Sequence, residues 1–294
     1  MMIENYRTGF LWELMKKCPL LSTASVRRDS PVAGCDYADR SGKGEKMNVA
    51  RVETTRFFTD SGIEVPAVTA DQMREVDRIA IEETGPNLFQ MMENAGRNLA
   101  LLAIEVLGRG WEKAKIITLA GGGGNGGGGI CASRHLANRN AKVKLCLADP
   151  SRLGEVPSFQ RRTFAFTSGE EIAATSLRAQ PADLILDALI GYGLKSAPGE
   201  SAAELIRWAN QTSASIVALD LPSGVNATTG EAPGAVIKAR WTMTLALPKT
   251  GLLPENSGEL FLADIGIPEE TYRRLGLSYT SPFGDRFRVP LTWR

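Results

Sequence analysis

The sequence predicts an α/β protein, a Rossmann-like three-layer αβα sandwich with a mostly parallel sheet. Three observations predict it. Apolar, β-branched runs alternate with stretches of helical period along most of the chain, the pattern of a parallel sheet covered by helices on both faces. Between one such run, Lys115-Ile-Ile-Thr-Leu119, and the helix-like Ile130-Cys-Ala-Ser-Arg-His-Leu136, every position from Gly121 to Gly129 is glycine except Asn125. A strand, a glycine turn and a helix start together make an anion site, usually for a nucleotide phosphate. Finally, two other apolar runs end in an acid just before a glycine-bearing turn, at Asp187 and at Asp220.

The elements follow in order. Residues 1–46 join an apolar patch, Phe10-Leu11-Trp12, to a polar stretch without period, and are expected to be a disordered extension or the product of a misassigned start. They carry neither the apolar segment nor the cleavage pattern of a secretory signal. One domain is expected over 47–280, with 281–294 as a C-terminal tail. Thr69-Ala-Asp-Gln72 is a capping box for a helix presenting Met73, Val76 and Ala80 on one face. A second helix shows Met92, Ala95, Leu99, Leu102 and Val106 at spacings of three and four, and Gly108 stops it. Strand 115–120 and helix 130–138 precede strand 142–148, a helix near 158–165, strand 183–188 and helix 200–210. Strands 215–220, 241–247 and 259–263 complete the series.

Composition narrows the function. With 34 basic and 33 acidic residues the net charge is +1, which points away from nucleic acid and from an anionic membrane surface. No stretch has the length of a membrane span. The cysteines Cys18, Cys35, Cys131 and Cys146 show no C-x-x-C spacing, so a reducing cytoplasm without disulfides is expected. The single histidine, His135, excludes a His-rich metal site.

The glycine run is expected to supply positive φ angles and close backbone approach. Gly121, Gly123 and Gly126 satisfy G-x-G-x-x-G, a weak match in so glycine-rich a run, and no Gly-Lys-Ser/Thr follows, which excludes a P-loop. A dehydrogenase would place an acid at the end of the second strand, about twenty residues after the loop. Asp149 lies too far along for that role, and a separate catalytic domain is missing. Taken singly, Asp187 and Asp220 read as turn carboxylates, Ser223 as a turn hydroxyl and Asn125 as a left-handed turn residue. Aligned at the carboxyl ends of strands of one sheet, they point to a ligand site.

These segments resemble the YjeF N-terminal domain family. The resemblance spans roughly residues 60 to 275 and includes Gln72-Met-Arg-Glu-Val-Asp77, Met92-Glu-Asn-Ala-Gly96, Asp187-Ala-Leu-Ile-Gly191, Asp220-Leu-Pro-Ser-Gly224, Pro248-Lys-Thr-Gly251 and Ala263-Asp-Ile-Gly-Ile-Pro268. It implies an NAD(P)H-hydrate epimerase, which returns the R epimer of hydrated NADH or NADPH to the S form that a dehydratase uses. It implies one potassium ion, with Asn125, Asp187 and Ser223 as hard oxygen ligands. The hydrated nucleotide would lie against Gly124, Asn125, Gly126, Gly127 and Gly128, against the turn Gly191, Tyr192, Gly193, Leu194, Lys195, Ser196 and Ala197, and against Asp220. The resemblance also allows a homodimer. Asp220 is assigned the proton transfer, as a carboxyl whose pKa is raised by partial desolvation. Lys195 and Lys249 could hold phosphate or the nicotinamide amide, against the plainer reading of exposed, solvated lysines, and His135 reads as a packing or capping residue. The family usually shows Gly-x-Gly-Asn-Asn-Gly-Gly-Asp-Gly at the loop, so Gly124 and Gly128 stand here for an asparagine and an acid. That departure makes a non-catalytic nucleotide-binding module of the same fold the alternative. About twenty-five residues follow Pro268, too few for a fused dehydratase, which is expected on a separate chain.

Overall fold

A computed structural model describes residues 55–294. The expectations for residues 1–46 lie outside the described residues. The strands are β1 (Phe57–Thr59), β2 (Glu64–Val65), β3 (Lys115–Ala120), β4 (Lys142–Leu147), β5 (Glu170–Ile172), β6 (Leu184–Ala188), β7 (Ser215–Leu219), β8 (Trp241–Leu245), β9 (Glu259–Ala263) and β10 (Arg288–Trp293). They form a single sheet in the order β2-β1-β10-β9-β8-β7-β6-β3-β4-β5. From β9 to β5 all neighbours are parallel, whereas β10, β1 and β2 add antiparallel pairs at one side. The α/β expectation with a mostly parallel sheet is met.

Among the described residues seven α-helices accompany the strands: α1 (Ala70–Ile79), α2 (Leu88–Leu107), α3 (Gly124–Ala137), α4 (Glu155–Phe164), α5 (Glu200–Gln211), α6 (Pro254–Ser257) and α7 (Glu269–Arg274). Alternate strand residues face two cores. Ile116 and Ala120 of β3 join Met73, Leu99, Ile130 and Phe164 from the helices on one face. Ile117 and Leu119 join Leu205, Ile206 and Ala209 of α5 on the other. Period-two burial on both sides of a parallel sheet is what makes three layers. The capping box at Thr69 and Gln72 starts α1 as expected, and Gly108, at φ 64°, ends α2.

Two expectations need correction. The segment 281–294 is not a tail: β10 pairs with β9 and β1, and Val289 and Leu291 are buried. Pro290 in mid-strand breaks the usual strand signal, so the sequence hides it. The helix after the glycine run starts at Gly124, not near residue 130, and none of the glycines from Gly121 to Gly129 has a positive φ. They are needed for contact. A Cβ on Gly121 would overlap the carbonyl oxygen of Leu189, one on Gly126 that of Gly121, and one on Gly129 the Ala188 methyl. The helix thereby lies directly on the ends of β3 and β6. Strand order reverses between those two strands, and ligands of open α/β sheets bind at such a switch point.

Candidate active site

Three polar groups converge at the carboxyl ends of β3, β6 and β7. In α3 the backbone ladder opens with Gly127 N–H to Gly123 O (3.0 Å), so the preceding amides of Gly124, Asn125 and Gly126 point out of the helix mouth. Such amides, with the helix dipole behind them, favour an anion. Asn125 sits in this first turn, and both its side-chain nitrogen and oxygen are buried without a partner. A buried amide with neither donor nor acceptor satisfied is costly unless a ligand completes it. Across from it, a Cβ on Gly191 would stand 3.3 Å from Asn125 Cγ and 3.1 Å from Asp220 Oδ2. A Cβ there would crowd both side chains, and the glycine leaves them that space.

Asp187 is fully buried at the end of β6. Its Oδ1 accepts from Ser223 Oγ (2.6 Å) and Leu189 N (3.3 Å), and its Oδ2 accepts from Ser223 N (2.8 Å). Among the described residues no cationic side chain pairs with it. Burial pushes its carboxyl up to about 6, against the Ser223 and Leu189 donors that favour the charged form. Ser223 Oγ also accepts from Ile190 N (2.9 Å), which holds the hydroxyl between the two strand ends.

Asp220, one residue past β7, is held in a different way. Its φ is +70°, and Leu221 N bonds to Leu219 O (2.9 Å), so Asp220 is the centre of a positive-φ γ-turn, a rare and strained form. Ala246, just past β8, repeats the device, with φ +62° and Leu247 N to Leu245 O at 2.7 Å. Between these turns lies Lys249, 1 % exposed. Its ammonium donates to Asp220 Oδ1, to Leu245 O (2.8 Å) and to Thr244 Oγ1 (3.4 Å), so all three protons are engaged. Asp220 accepts in addition from Tyr192 N (3.2 Å) and Leu245 N (3.4 Å).

One sequence-based expectation changes here. Lys249 is neither solvated nor free for a phosphate, because it is consumed by Asp220. Every partner of Asp220 is a donor, so this carboxyl accepts at both oxygens. The signal for Lys249 was its place in Pro248-Lys-Thr-Gly251 directly after a buried strand, tied to the segment before α1 by Val68 N to Pro248 O (2.9 Å) and Thr250 N to Val68 O (3.0 Å).

The turn from Gly191 to Ala197 borders the same crevice. Gly191, Tyr192 and Leu194 are half-buried, whereas Gly193, Lys195, Ser196 and Ala197 are exposed, Lys195 as the plainer reading has it. The Tyr192 hydroxyl bonds to Asp77 Oδ2 on α1, a contact the sequence reading did not find. Gly124 and Gly128 face Met92 and Leu219: a Cβ on Gly124 would stand 3.7 Å from Met92 Sδ, and one on Gly128 2.8 Å from Leu219 Cδ2. His135 lies apart, with Nε2 2.8 Å from Glu93 Oε1, in the packing role expected of it.

The family model for the YjeF-related protein N-terminus matches residues 88–251, which contains Asn125, Asp187, Asp220, Ser223 and Lys249. The chain belongs to this family. Among relatives of this YjeF-related chain, a protein of Dehalogenimonas lykanthroporepellens named NAD(P)H-hydrate epimerase is 49 % identical over 81 % of the chain and 97 % of its own length. Enhancer of mRNA-decapping protein 3 of Macaca fascicularis is 30 % identical over 84 % of the chain, which spans only 48 % of that longer protein. The crystal structure of the yeast protein YNL200c shares the fold, with a TM-score of 0.65 at 22 % identity, covering 77 % of this chain and all of that one.

Proposed function

We propose that this YjeF-related chain is an NAD(P)H-hydrate epimerase, an isomerase that interconverts the R and S forms of hydrated NADH and NADPH in nicotinamide nucleotide repair. The observation that carries the reading is the 49 % identity to a protein of that name along 97 % of its length. The decapping relative matches over only 48 % of its own length, so the alternative of a non-catalytic module is not favoured. Composition supports a cytoplasmic setting, and no helix among the described residues is long and apolar enough to cross a membrane. The S form would pass to a dehydratase.

In this reading the open amides of α3 take the dinucleotide phosphates, and the Gly191–Ala197 turn covers the hydrated ring. The hydrated carbon bears a hydroxyl beside the ring nitrogen. Lone-pair push from that nitrogen expels the hydroxyl once it is protonated, and water returns to the opposite face. Positive charge grows on the ring as the hydroxyl leaves. Asp220, fixed by its γ-turn and by Lys249, is the carboxylate set against that charge, and such preorganised charge needs no reorganisation during the reaction.

The donor set also fits potassium. An orphaned buried amide oxygen on Asn125, a buried carboxylate on Asp187 without a cation and the Ser223 hydroxyl are oxygen ligands of the kind alkali ions take. Bound there, the ion would supply positive charge that offsets Asp187 beside the phosphates.

The test is the rate of interconversion of separated epimers with purified protein, in potassium chloride and in tetramethylammonium chloride. Acceleration over the spontaneous rate, stronger in potassium, is expected. Tight binding of hydrated NADH without acceleration would return the chain to the non-catalytic reading.

A further inference from the structure

Epimerisation by loss and return of water needs a proton at the departing hydroxyl, and the oxygens of Asp220 are already engaged by Lys249, Tyr192 N and Leu245 N. The Asp77–Tyr192 pair can supply it. Tyr192 follows Gly191 in the covering turn, its own N–H donates to Asp220 Oδ2 (3.2 Å), and its ring is half-buried at the crevice. Its hydroxyl bonds to the Asp77 carboxyl. We propose that Asp77 and Tyr192 form a two-residue proton relay for this reaction: Tyr192 protonates the leaving hydroxyl, and Asp77 restores the proton to Tyr192.

The step balances. The Tyr192 Oη proton moves to the hydroxyl oxygen, the carbon–oxygen bond breaks with its electron pair on oxygen, and water departs. The nitrogen lone pair becomes the carbon–nitrogen double bond, and the Asp77 proton moves to Tyr192 Oη. On return, water adds to the other face, the double-bond electrons go back to nitrogen, and the released proton runs through Tyr192 to Asp77. Nothing is consumed.

The Asp77 carboxyl is set among ionisable groups from several elements. Burial pushes its carboxyl above the usual range and Asp220 adds to this, while the Tyr192 hydrogen bond and Lys249 oppose. Tyr272 on α7 and Arg74 on its own helix complete the ionisable groups that face the pair. Burial, with Asp77 beside it, also pushes the Tyr192 phenol up, so this hydroxyl keeps its proton until a substrate oxygen takes it.

The inference rests on the epimerase reading, and the experiment separates the two. The pH–rate profile is measured for the parent, Tyr192→Phe and Asp77→Asn, with thermal midpoints and affinity for hydrated NADH as controls. Tyr192→Phe should lose about 10²–10³ in kcat with KM within a few-fold, the size of a general acid contribution. The parent should lose activity as pH rises and Asp77 gives up its proton; Asp77→Asn should run at a lower plateau without that alkaline fall. A folded Tyr192→Phe within a few-fold of the parent, or an Asp77→Asn that keeps the parent's alkaline limb, overturns the relay. Should Tyr192→Phe fail to fold, Asp77→Asn alone decides. A parent that does not accelerate epimerisation at all overturns the function instead.

Discussion

Asp187 and Asp220 end adjacent strands of the same sheet, both buried, and they are held in opposite ways. Asp187 is ringed by a hydroxyl and amides and meets no positive charge among the described residues, so burial raises it to about 6. Asp220 carries its own cation, Lys249, whose three protons are all directed at fixed acceptors. The difference teaches that two similar sequence signatures, an acid before a glycine-bearing turn, serve different tasks. One is a ligand arrangement that an external cation completes. The other is an internally neutral pair locked between two strained turns, rigid enough to face a reacting ring.

The largest effect should come from breaking the internal pair. Asp220→Asn or Lys249→Met alone leaves one polar group buried beside a partner it no longer matches, and loss of one member of a buried ion pair costs about 3–5 kcal/mol. Urea unfolding of both single variants and the double should show the double well short of the sum. Simple additivity would mean that the pair is not coupled in solution.

Asp187 should behave differently, because it has no protein cation to lose. Its folded pKa, about 6, lies above an unfolded value near 3.9. Stability from this group is therefore full below about pH 4 and is lost as pH rises through about 6, a fall of about 3 kcal/mol by linkage. In tetramethylammonium buffer the parent should show that fall and Asp187→Asn should not. Potassium should remove most of it by stabilising the carboxylate, and Asp187→Ala should make affinity for the hydrated nucleotide insensitive to potassium. Equal pH slopes in parent and Asp187→Asn would contradict the assignment.

A smaller contrast lies within the glycine run. Gly129→Ala drives a methyl into Ala188 and should cost about 1–3 kcal/mol. Gly124→Ala meets only ordinary contact with Met92 in a helical position and should gain up to about 1 kcal/mol. Calorimetry that ranks the two in the reverse order would show that the helix does not press on the sheet there.

The sheet and the positions of Asn125, Asp187 and Ser223 were legible because strand-end acids and glycine runs are local signals. What stayed hidden depends on distant partners. Lys249 looks like any surface lysine until the γ-turn at Ala246 folds it inward, and no residue near it in sequence announces Asp220. Asp77 adjoins the apolar stripe of α1 made by Met73, Val76 and Ala80 and closes the segment Gln72-Met-Arg-Glu-Val-Asp77, but neither sign points to Tyr192. The glycine run was expected to give both positive φ angles and close backbone approach, and only the second is found, because sequence alone cannot separate conformational freedom from close packing. β10 was lost to Pro290.

The most direct test of the account compares epimer interconversion by the parent and by Asp220→Asn in potassium, below the thermal midpoint of the variant. The parent should accelerate the reaction, and the folded variant should lose about 10²–10³-fold in turnover while still binding hydrated NADH. A variant that epimerises within a few-fold of the parent would contradict the central role given to the Asp220–Lys249 pair.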